Sequence, residues 1–174
     1  MSEPPTLPIQ PDNLLDRFSV ICGRACSWLT LFMVIVTFVV VVMRYAFDAG
    51  AVWMQESVTW MHAAVFMIGA AYALQQEEHV RVDIFYRGMS ASRRAWVDLL
   101  GVLLFLLPVC VFLAYESWSF VEISWSLREA SREPGGLPYP WIPLLKSIVL
   151  VMPVMLALQG VSLALKSLRV LRGR

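Results

Sequence analysis

The sequence predicts an all-α membrane protein, with four transmembrane helices, both termini in the cytoplasm and an interfacial segment between helices two and three. Three observations carry that expectation. Four stretches hold no Lys, Arg, Asp or Glu: Ala25–Met43, Ser57–Gln76, Leu99–Tyr115 and Ser147–Leu165, of 19, 20, 17 and 19 residues. A helix rising about 1.5 Å per residue needs roughly 20 residues to cross a hydrocarbon core about 30 Å thick. The run Leu29–Met43 is apolar on nearly every side apart from two Thr, where a water-soluble bundle helix keeps a polar face. Third, the basic residues are lopsided: ten (Arg17, Arg24, Arg81, Arg87, Arg93, Arg94, Lys166, Arg169, Arg172, Arg174) flank one end of the spans and four (Arg44, Arg128, Arg132, Lys146) the other. The positive-inside rule then puts the termini in the cytoplasm.

The N-terminal arm, MSEPPTLPIQPDNLLDRF, is acidic and Pro-rich, whereas a secretory signal starts basic and turns apolar. Helix one is therefore expected to stay in the mature protein. The expected division is a cytoplasmic arm over 1–15, one membrane domain over 16–168 and a basic tail over 169–174. Cys22 and Cys26, four residues apart near the inner end of helix one, and Cys110 in helix three are an odd number and form no disulfide framework. Small apolar residues at a helix end are the plainer reading. All seven Trp lie near span ends, Trp28 and Trp96 inside, Trp53, Trp60, Trp118, Trp125 and Trp141 outside, as interfacial belts require.

A short connection over residues 44–56 carries a turn signal at Asp48-Ala49-Gly50. Helix two alone holds an intramembrane histidine, His62, with Gln55, Thr59, Gly69 and Ala73 on the same face. Small residues at that spacing admit close helix approach, so the face is expected to meet another helix, with His62 hydrogen-bonded as a structural group. Residues 77–95 are dense in charge yet keep Val80, Val82, Ile84, Phe85 and Met89, which suits a segment lying among the headgroups. The pairs Glu77/Arg81, His79/Asp83 and Asp83/Arg87 would form if a helix continued there, and exposed pairs contribute only about 0–1 kcal/mol each. Helix three is expected to run past the membrane through residues 116–127, which contain no breaker, until the Pro- and Gly-rich stretch 131–143 ends it. Pro108 and Pro153, in helices three and four, are expected to free the carbonyls of Leu104 and Val149.

The composition, 59% hydrophobic and 16% charged with a net charge of +1, offers nothing to nucleic acid. Catalytic, cofactor and metal sites are all expected to be absent. A haem anchor needs axial His at matching depth, and His62 and His79 lie about 25 Å apart on one helical run. No midplane carboxylate or discontinuous helix equips the chain to carry a solute alone. An enzyme is the least favoured class.

One stretch is more specific. Gly69-Ala70-Ala71-Tyr72-Ala73-Leu74 and Glu78-His79-Val80-Arg81-Val82-Asp83-Ile84-Phe85, preceded by Arg44-Tyr45-Ala46-Phe47 and Trp53-Met54-Gln55-Glu56, stand in a fixed order relative to the spans. Together with Leu137-Pro138, Lys146 and Leu158-Gln159-Gly160, they resemble the small permease subunit of tripartite ATP-independent periplasmic (TRAP) transporters, the DctQ-like family, over Asp16 to Leu168. Where that family often has two adjacent acidic residues after the Trp, this chain has Gln55 and Glu56. The resemblance implies a bacterial inner-membrane importer of organic anions, either carboxylates or sugar acids. In it a periplasmic solute-binding protein (DctP-like) feeds a large permease subunit (DctM-like) coupled to an ion gradient, and the small subunit is a scaffold in the lipid. An independent small transporter or channel, or the membrane anchor of an electron-transfer enzyme, is the alternative. Candidate contact or topology-fixing residues are Arg44, Trp53, Glu56, Trp60, Glu78, His79, Arg81 and Asp83, with Arg44 expected to meet Glu56 across the short loop.

Overall fold

The computed structural model describes residues 13–76 and 88–173. They form four helices, α1 Leu14–Ala46, α2 Val52–Gln75, α3 Ala91–Ser126 and α4 Trp141–Leu171, each long and apolar enough to cross a membrane. All four expected spans are present. The segment expected to lie among the headgroups falls mostly on residues 77–87, outside the described residues; from Ala91 its remainder is already helical, with Ser90 as the N-cap of α3.

The helices overrun the charge-free stretches. At 33 residues, α1 is about 50 Å long, so its ends pass beyond the hydrocarbon. Asn13 caps it, accepting from the Asp16 N–H at 2.9 Å. Asp48 sits in the left-handed region (φ 50°) of the short turn to α2, where the Asp-Ala-Gly signal predicted a turn. As expected, α3 continues to Ser126 before the loop.

Pro108 is accommodated without a break in α3. The turn Val102–Leu106 widens to a π-helix, and the Leu107 N–H reaches the Val102 carbonyl five residues back. Such a turn inserts one residue into the helix while keeping its backbone bonded.

The helices form an open row and not a closed bundle. α1 packs on α2, α2 on α4, and α4 on α3; α1 reaches α4 more weakly, and no substantial contact joins α3 to α1 or α2 among the described residues. α4 is the hub. Of its most apolar window 39% is buried within the chain, against 6% for α1. Two glycines permit the close approaches. A Cβ at Gly23 of α1 would overlap the Tyr72 ring of α2, and one at Gly160 of α4 would lie 2.6 Å from Leu106 Cδ2 in the π turn.

Gly23→Ala is expected to lower stability by about 1–3 kcal/mol, because the Tyr72 ring is part of the α1–α2 contact and must move. Gly101→Ala, whose new Cβ meets nothing within 4 Å, is expected to be neutral or slightly stabilising. Thermal unfolding of the two purified variants in detergent distinguishes them.

Candidate functional site

Polar chemistry concentrates at the two ends of the row. At the end opposite the termini, Glu56 stands on the second turn of α2. One carboxylate oxygen accepts from the Ser131 hydroxyl, and the other accepts from the Leu137 N–H at 2.6 Å. The Trp53 N–H donates to the Gly135 carbonyl at 3.2 Å, and the Ser131 N–H to the Leu137 carbonyl at 3.0 Å. Glu56 thus clasps the loop between α3 and α4 onto the start of α2. Gly136 is part of the same fit, since a Cβ there would collide with the Ser131 side chain.

The same loop is held from its other side. Lys146 of α4 meets Glu129 at 2.6 Å, and the Ser124 hydroxyl donates to the same Glu129 oxygen at 2.6 Å. These bonds hold the Glu129 carboxyl below the usual glutamate range, the Lys146 bond being the larger cause. Lys146 also lies 4.3 Å from the Phe120 ring centroid, while the Trp125 indole N–H donates to Ser147 at 2.9 Å. Trp60 and Trp141 stand edge to face, 6.0 Å apart, and with Trp53, Ser57, Met61 and Leu137 line a cavity of about 410 Å³.

At the end carrying the termini, Asp16 is wholly buried. Its Oδ1 accepts from Gln159 Nε2 at 2.9 Å and from the Ser162 hydroxyl at 2.7 Å, and its Oδ2 meets Lys166 at 2.7 Å. Asn13 Nδ2 donates to Ser162 at 2.7 Å, and the Ser19 hydroxyl donates to Gln159 Oε1 at 2.8 Å. α1 is fastened to α4 by this network, where little apolar packing joins the two. The first turn of a helix also favours the carboxylate electrostatically.

The sequence-predicted residues divide accordingly. Trp53, Glu56 and Trp60 gather at the clasped loop. Arg44, in the last turn of α1, is exposed and does not meet Glu56 as expected, because both Glu56 oxygens are turned to the loop. Glu78, His79, Arg81 and Asp83 lie outside the described residues. His62 is exposed and makes no hydrogen bond among the described residues, so the expected hydrogen bond is not made within this chain: it sits on the side of α2 opposite the buried Ala64 and Ala71. Sequence reasoning missed Asp16 and its ring of partners. The signal was the spacing of Gln159, Ser162 and Lys166, three and four residues apart, which puts a polar stripe on the otherwise apolar α4.

A family model described as "Tripartite ATP-independent periplasmic transporters, DctQ component" matches residues 33–172. The chain belongs to the DctQ family. DctQ proteins are inner-membrane components of tripartite transporters and not enzymes. Over 108 residues the chain is 28% identical to the "C4-dicarboxylate TRAP transporter small permease protein DctQ" of Vibrio cholerae serotype O1, covering 62% of this chain and 46% of that protein. The chain therefore spans about half the length of this curated relative. No solved structure matches it.

Glu56→Ala removes the acceptor for a backbone N–H and a hydroxyl. It is expected to cost about 1.5–3 kcal/mol and to open residues 131–137 to proteolysis, while Glu56→Gln is milder. Asp16→Ala strips a buried carboxylate from its Lys and amide partners and is expected to cost about 3–5 kcal/mol in thermal unfolding. Glu129 is lowered in the folded state, so its contribution is complete above the ordinary glutamate range and is lost as pH falls through the lowered pKa. The protection of the amides across residues 127–140, relative to intrinsic exchange at the same pH, is accordingly expected to fall on acidification in the wild type. In Glu129→Gln it should be low at every pH.

Proposed function

We propose that this chain is the small membrane subunit of a secondary-active TRAP importer of organic anions, serving as a static scaffold beside a large permease subunit. The observation that carries the reading is the open row of apolar helices. Phe38 of α1 and Phe105, Val111 and Phe112 of α3 all stand exposed at spanning depth, so the chain turns broad apolar faces outward, to lipid and to neighbouring helices, instead of enclosing an interior. Its two polar knots are closed on themselves. Asp16, the buried carboxylate, already holds Lys166, and Glu56 already holds the loop, which leaves both to brace the helices and not to carry a solute.

The large subunit then supplies the substrate and ion sites, and the solute-binding protein delivers the anion. The name of the Vibrio cholerae relative makes C4-dicarboxylates the first substrates to test. Both termini lie in the cytoplasm in this reading, supported by ten basic residues at their end of the spans against four at the other. The membrane domain over 16–168 acts as one unit, between the arm over 1–15 and the tail over 169–174.

Reconstitution tests the proposal. Liposomes holding this chain with the large subunit, supplied with binding protein and an ion gradient, are expected to accumulate succinate or another organic anion, whereas liposomes holding this chain alone are not. Uptake by the chain alone overturns the scaffold reading. Alkaline phosphatase inserted within residues 127–140 should be active in cells, and the same enzyme fused after Arg174 inactive; the reverse pattern overturns the orientation.

A further inference from the structure

On α2 the exposed positions beyond Trp53 are Gln55, Thr59, His62 and Phe66. Their spacing of four, three and four residues draws a single stripe along the helix, opposite the buried Ala64, Ala71 and Gln75. Gly69 continues the stripe, and a Cβ built on it meets nothing within 4 Å, so no helix among the described residues uses the gap. His62 is ten residues into α2, about 15 Å from its start and about 20 Å from its end, and five residues past Ser57, where the charge-free stretch begins. Neither the His62 ring nor the Gln55 amide has a hydrogen-bond partner among the described residues, and the Thr59 hydroxyl bonds only back to the Gln55 carbonyl.

Facing lipid, such a stripe is unfavourable. A bilayer core supplies no donor or acceptor, so intramembrane polar side chains turn to protein or to water-filled cavities. The outward faces of α1 and α3 differ in kind: apart from Thr30 and Thr37, whose hydroxyls bond back to the Cys26 and Met33 carbonyls, Val34, Phe38 and Val41 on one and Leu104, Phe105, Val111 and Phe112 on the other are apolar and suit acyl chains.

We propose that the Gln55–Thr59–His62–Phe66 stripe is the surface on which one transmembrane helix of the large permease subunit docks, and that this helix presents a hydrogen-bond acceptor opposite His62. The proposal rests on the scaffold reading and adds to it which face carries the partner. The partner helix crosses closest at Gly69, where the missing side chain leaves room for its backbone, while Phe66 packs beside the crossing. Polar groups that are a liability in the isolated chain thereby gain partners in the complex. α1 and α3 are left to the lipid.

Photo-crosslinking in the assembled complex tests this. A benzophenone amino acid placed at Thr59, His62 or Phe66 is expected to give adducts with the large subunit, and the same probe at Phe38 or Phe112 to give lipid adducts. Adducts of the stripe with lipid, or with a second copy of this chain, overturn the proposal. Large-subunit adducts at Phe38 or Phe112 in place of the stripe overturn it while sparing the scaffold reading, and failure of the two subunits to co-purify defeats both. His62→Leu supplies a second readout. It is expected to lower the yield of co-purified large subunit about threefold or more, without lowering the melting temperature of the chain alone, and His62→Gln should restore part of that yield. An unchanged or improved yield with His62→Leu is the result for a lipid-facing stripe.

Discussion

A bilayer core gives a polar group nothing to bond with, and that constraint organises this molecule. Backbone groups are satisfied within four helices, and the side-chain hydrogen bonds between helices gather into two knots, one at each end of the row. Asp16 ties α1 to α4 where the chain begins its first span. Glu56 ties the long loop to α2 at the far end. Between the knots the contacts are almost wholly apolar, and the close fits at Gly23 and Gly160 help to fix helices that lie in a solvent as oily as themselves.

α4 is central to this arrangement. It receives α2 on one flank and α3 on the other, accepts the π turn over Gly160, and contributes Gln159, Ser162 and Lys166 to one knot and Lys146 to the other. The remaining helices present much of their surface outward. That division agrees with membership of the DctQ family of membrane components, since so much outward apolar surface suits a chain surrounded by lipid and other helices.

The four spans were legible because crossing hydrocarbon demands about 20 uncharged residues, a demand written directly into the sequence. The continuation of α3 and its end at the Pro- and Gly-rich loop could be read for the same reason: breakers act locally. The open row could not, because which helices touch depends on packing over distances that no window of sequence spans. Glu56 was visible as an unusual carboxylate, but its partners, a hydroxyl and a backbone N–H some 75 and 81 positions away, leave no pattern. Asp16 was passed over because it stands beside ordinary charged neighbours at the start of the first helix. The stripe through His62 was seen; that it faces outward needed coordinates, since a helical period is the same whichever way the helix is turned.

The widened turn at Val102–Leu106 does more than make room for Pro108. Below it the buried positions of α3 are Ala95 and Leu99, at its start Val102, and above it Cys110, Val121 and Ser124. The surplus residue turns the upper half by about 100° relative to an unbroken α-helix, and both halves still meet α4. α3 is, in effect, two shorter rods joined by a spacer that sets their angular register, and the proline marks the joint.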